Sequence, residues 1–185
     1  MEAPAVTRHR RPFLAPVWVT VLVAAAVAGG AFSFYRAAVT TLVVLVPVPD
    51  AQPAILTDPP LSAEGELRAQ ALARTFGTLR GGGGLDALYV SDERRAQQTA
   101  APLAERLHRA PILFKAADAP AAAARLLREH RGGAVLVVGG GGSLAQMAHE
   151  LADADGAGIN GADADAVYLL SIPSVGSARL LRLTL

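Results

Sequence analysis

Three short runs constrain this chain more than any other feature. Residues 41–46 (TLVVLV), 85–90 (LDALYV) and 134–138 (AVLVV) are apolar and rich in β-branched or aromatic side chains. Such runs are expected of strands covered on both faces. Segments with helical spacing separate them. Ser62 is placed to cap a helix with Glu64 and Glu66 in its first turn, and Leu67, Ala71, Phe76 and Leu79 lie near one face of it. Ser91-Asp92 can cap a second helix, reaching about Arg109, with Ala96, Ala100, Leu103 and Leu107 inward. A third covers residues 119–131 and stops at Gly132-Gly133. A fourth covers 143–152, behind a turn at the four glycines 139–142. Residues 112–114 form a short strand, and two late strands, near 166–172 and 178–183, form a hairpin around Gly176. Pro47 and Pro49 end the first strand. Strands alternating with helices predict an α/β chain: a three-layer α/β/α sandwich on a mostly parallel sheet, made mixed by the closing hairpin. The three strong runs should be adjacent at its centre.

Ahead of this pattern, residues 12–35 form a stretch of 24 without a formal charge. A helix of about 20 apolar residues crosses a bilayer. Trp18 sits near one end and Phe34 and Tyr35 near the other, where interfacial aromatics belong. The expected division is a short basic N-terminus (1–12), a transmembrane anchor (13–35), a linker (36–40) and one folded domain (41–185). Arg8, Arg10 and Arg11 precede the apolar stretch and only Arg36 closely follows it. The positive-inside rule then puts the N-terminus in the cytoplasm and the domain on the extracytoplasmic side of the cell membrane. The alternative is an exported protein with a cleaved signal, because Arg10-Arg11-Pro12-Phe13-Leu14 is similar to a twin-arginine motif and small residues fill 24–31.

Net charge is +1, but residues 37–185 carry 13 Lys and Arg against 15 Asp and Glu, a net of −2. That leaves no electrostatic footprint for nucleic acid. With no cysteine, disulfides, thiolate zinc sites and cysteine nucleophiles are excluded. No metal site or cofactor is expected.

Three blocks, in order, resemble the histidine phosphatase (phosphoglycerate-mutase-like) superfamily. The first is strand 41–46 with the later Pro60-Leu61-Ser62 and Gly65. The second, and most specific, is residues 85–100, LDALYVSDERRAQQTA. The third is Val135-Leu136-Val137-Val138-Gly139. The resemblance implies a sandwich whose site lies at the C-terminal ends of the parallel strands. There a histidine attacks phosphorus, arginines and a second histidine hold the phosphoryl oxygens, and a carboxylate protonates the leaving group.

Against that pattern the chemistry is depleted. The family's Arg-His pair after the first strand aligns with Pro47 and Val48, and its second histidine with Gly140. Arg95, next to Arg94, keeps a phosphate-binding position, and Asp50 falls near the acidic end of the signature. Arg95 is either a ligand contact or a helix-start arginine paired to an acid. Gly140, Gly141 and Gly142 belong either to a tight turn or to an anion cradle at a helix N-terminus. His9 lies on the far side of the apolar stretch, His108 and His130 near helix ends, and His149 inside a helix. The expectation is a membrane-anchored pseudophosphatase without catalytic residues, binding an unknown protein or small anion. The alternatives are an active phosphohydrolase with relocated groups, and a nucleotide-binding module built on the glycines 139–142 with Asp163 or Asp165.

Overall fold

The computed structural model describes residues 17–37, 39–48, 58–78, 84–152, 159, 166–174 and 176–184, in two compact units divided after Ala37. The first unit is a single helix, α1 (Val17–Ala37). Its stretch Val17–Phe34 is long and apolar enough to cross a membrane. Trp18, Val27 and Phe34 are all exposed. That sets α1 apart from a core helix, whose apolar face its own fold covers. The expected first residues of the span, 13–16, lie outside the described residues.

The second unit runs β1 (Thr40–Val48), α2 (Ala63–Phe76), β2 (Ala87–Ser91), α3 (Arg94–Leu107), β3 (Ile112–Phe114), α4 (Ala119–Glu129), β4 (Ala134–Gly140), α5 (Gly141–Ala152), β5 (Ala166–Pro173) and β6 (Arg179–Thr184). One six-stranded sheet has the order β3-β2-β4-β1-β5-β6. The first four strands in chain order pair in parallel, and β5 and β6 join antiparallel. The three strong runs are therefore central neighbours, with β4 between β2 and β1, as expected. Alternate residues serve opposite faces. Val43, Leu45, Tyr89, Val135 and Val137 pack with α4 and α5, while Val44, Val46, Leu88, Leu136 and Val138 pack with α2 and α3. This is the three-layer sandwich.

Local chemistry sets the helix starts. The Ser62 hydroxyl accepts the Gly65 N–H at 3.1 Å and opens α2 as expected. For α3 the expected caps do not act. Its first residue, Arg94, donates its N–H to the Asp58 carboxylate at 3.1 and 3.2 Å. Asp92 instead accepts the Ala116 N–H at 3.0 Å and ties the 3₁₀ turn Ala116–Asp118 ahead of α4 to the end of β2.

Three further expectations are corrected. β1 continues through Pro47 to Val48. Its register with β5 ends at Leu45, so one edge of β1 beyond that point makes no demand on a residue lacking an N–H. β4 runs on through Gly139 and Gly140, and α5 starts at Gly141, two residues before Ser143. The glycines are thus half strand and half helix. The buried face of α2 is Ala69, Leu72 and Ala73, with Phe76 partly covered, whereas Leu67 is 66% exposed. The sequence admits either phase of α2; the sheet chooses the one that sets Leu72 against Val44 and Val167.

α3 ends on His108, which is left-handed (φ 52°) and donates its N–H to the carbonyls of Ala104 and Glu105. A side chain with a Cβ is strained there, and glycine is not. His108→Gly is expected to stabilise the domain by about 0.5–1 kcal/mol, read as a higher denaturant midpoint with an unchanged slope.

Candidate functional site

The C-terminal ends of β1, β2 and β4 meet at one place. Pro47 stands opposite Gly139 and Val48 opposite Gly140. Val90 stands opposite Val138, which sets Ser91 beside Gly139: a Cβ built on that glycine would lie 3.5 Å from the Ser91 Cβ. Ends of parallel strands are where open α/β sheets take ligands. Val48 is 2% exposed, Ser91 is fully buried, and Gly139, Gly140 and Gly141 are buried with them.

The structure brings the expected residues Pro47, Val48 and Gly140 together. Gly141 and Gly142 open α5 directly behind Gly140, and the Ser143 hydroxyl donates to the Gly140 carbonyl at 2.9 Å, closing that first turn. Arg95 lies in the first turn of α3, half-buried, its carbonyl accepting the Thr99 hydroxyl at 2.9 Å. Asp50, Asp163 and Asp165 lie outside the described residues. The segment ahead of α2 is fastened to α3 by Asp58 and by the Leu61 N–H, which donates to Gln98 Oε1 at 2.7 Å.

One residue was missed. A Cβ on Gly140 would stand 3.0 and 3.1 Å from the two carboxylate oxygens of Glu93. The Ser91 hydroxyl donates to that carboxylate at 3.3 Å. A side chain from the α3 entry thus fills the space a side chain at position 140 would use, and it carries negative charge. The available signal was an acid two residues before Arg95, directly after the buried strand end.

The described histidines are elsewhere. α3 and α4 run back from the strand ends, which leaves His108 and His130 beyond their C-termini at the opposite end of the sheet. His130 packs edge-on to Tyr89, with ring centroids 5.9 Å apart. His149 lies in the last turn of α5, about 12 Å along the helix from Gly141 at 1.5 Å per residue. The perturbed titrations also belong to this opposite end. Burial, with the Glu129 charge beside it, raises the Tyr89 phenol, and the Arg125 hydrogen bond holds the Glu129 carboxyl below its usual range. Among the described residues, no three His, Asp or Glu side chains gather as a metal site needs.

The fold is an α/β sandwich in which the ends of β1, β2 and β4 converge on buried residues. The sequence pattern of the histidine phosphatase superfamily (branch 1) matches residues 53–118, from the segment before α2 to the start of α4. The fold is shared with the native mycobacterial glucosyl-3-phosphoglycerate phosphatase (18% identity over 77% of this chain and 96% of that one, TM-score 0.57). It is shared with the protein histidine phosphatase SixA complexed with tungstate (16%, 77% and 96%, TM-score 0.56). The phosphoglycerate mutase from Plasmodium falciparum also has it (16%, 78% and 91%, TM-score 0.56). No curated protein sequence matches the chain. The family pattern thus covers residues 53–118 of this chain, and the solved structures share its fold.

Proposed function

We propose that this protein is a catalytically inactive member of that superfamily, held at the cell membrane by α1, with a binding or regulatory role. The observation that carries the reading is what stands at the strand ends. Pro47, Val48 and Gly140 occupy the places where the family resemblance implies an arginine and two histidines. None of the three can attack phosphorus, hold a proton or neutralise a phosphoryl oxygen. Arg95, with the backbone of Gly140, Gly141 and Gly142, is what remains for a small anion, and an affinity on the order of millimolar suits so few groups. A protein partner is the other candidate occupant. Nucleic acid is not one, since residues 37–185 are net negative.

Phosphate release by the purified protein tests this reading. General acid–base help alone is worth roughly 10²–10⁴-fold in rate, and the nucleophile and electrostatic groups add to that. The expected result, with phosphomonoesters and a phosphohistidine peptide, is background turnover. Activity that survives repurification and vanishes in Arg95→Ala would refute the pseudophosphatase.

The retained anchor, with residues 37–185 outside the cytoplasm, follows from the uncharged span and the arginines before it. Fractionation should leave the protein with the membrane, and protease added to spheroplasts should digest the domain. Full protection would reverse the orientation, and a mature N-terminus near residue 30 would make α1 a cleaved signal.

A further inference from the structure

Glu93 stands where α3 begins, but it does not cap its own helix. The Asp58 carboxylate takes that duty through the Arg94 N–H. Glu93 is left to turn back over the sheet, where its carboxylate lies against Gly140 and accepts the hydroxyl of the buried Ser91. Gly140 directly precedes Gly141, the first residue of α5. The carboxylate is therefore close to a helix N-terminus, where negative charge is favoured and where a phosphoryl group would be held. Both the space and the sign of that position are already taken. An incoming anion would have to share the site with a fixed like charge, an arrangement each disfavours.

We propose that Glu93 is a built-in plug: its carboxylate occupies the anion position between Gly140 and the start of α5 and keeps phosphate and phosphoryl groups out. This deepens the pseudophosphatase reading and rests on it, because it assigns a residue that holds the pocket closed to the family's ligand class. Glycine at position 140 leaves room for it, since a Cβ there would crowd the Glu93 oxygens and make them give way. On this account, the loss of the side chain at 140 and the gain of an acid at 93 are one change.

The test is calorimetric titration of the full-length protein in detergent with inorganic phosphate and, separately, with tungstate. The proteins compared are wild type, Glu93→Gln and Glu93→Ala. Glu93→Gln keeps the shape and removes the charge; Glu93→Ala removes both and serves if the amide variant folds poorly. The expected outcome is wild-type affinity of millimolar or weaker and a gain of about ten-fold or more in either variant, equal to about 1.4 kcal/mol. Affinities equal within two-fold in all three proteins, or no detectable binding in any, would overturn the plug. So would micromolar binding by wild type. Phosphate release by wild type is measured separately: turnover there sinks the pseudophosphatase reading whatever the titration gives.

Discussion

Leu136→Ala is expected to destabilise the domain by about 2–5 kcal/mol. Leu136 is 1% exposed in the middle of β4, the strand flanked by both β1 and β2. The register sets it beside Val44 on one side and Leu88 on the other, in the cluster closed by Leu72 and Leu103 of the helices above. Truncation there removes apolar area and leaves a cavity that neighbours held by sheet pairing on both sides cannot relax to fill. Domains of this size have about 5–15 kcal/mol in total, so the loss is a large share of it. The control is Leu181→Ala on the edge strand β6, where Leu181 is 55% exposed; a change within about 0.5 kcal/mol is expected there. Urea unfolding followed by circular dichroism reads both. A shift under 1 kcal/mol for Leu136→Ala would mean that β4 is not the central strand.

Gly140→His is expected to cost about 1–3 kcal/mol in the wild-type background, the range for overpacking a filled site. The first atom of the new side chain would meet the Glu93 oxygens at 3.0 and 3.1 Å, and the imidazole would need the space they hold. The clash is with the end of a side chain, so it can be relieved. In a Glu93→Ala background the same substitution should be nearly neutral. The double-mutant cycle should therefore return a coupling of at least about 1 kcal/mol, within the range for residues in contact. Additive effects would show that the two positions do not share space, and the plug would fall with that result. Neither variant is expected to gain turnover, because Pro47 and Val48 remain at the end of β1.

Much of this fold was legible in the chain itself, for local reasons. A continuous β-branched run announces a strand covered on both faces; residues 41–46 and 134–138 lie within one, and the run 85–90 yields β2 from Ala87 onward. Ser62 capped α2 because a hydroxyl at that spacing can reach the N–H three residues on. The block of residues 85–100 carried the family resemblance most specifically because its residues lie together in the sequence. The phase of α2 was misread because helical spacing offered more than one face, and only contact with Val44 and Val167 selects between them. The extension of β1 through Pro47 was missed because a proline's cost in a strand depends on what lies beside it, here an edge where the β5 register has ended.

What the sequence determined by itself was element type, their alternation, the apolar span of α1 and the absence of histidine at the strand ends, all carried by neighbours in the chain. The tertiary structure alone decided that β4 lies between β1 and β2, and that Asp58, from another segment, caps α3. It also decided that the Glu93 carboxylate fills the space beside Gly140. Those outcomes depend on groups 36 and 47 residues apart meeting in space. Local propensity cannot specify such meetings, because packing of the whole sheet selects which distant side chains share one pocket.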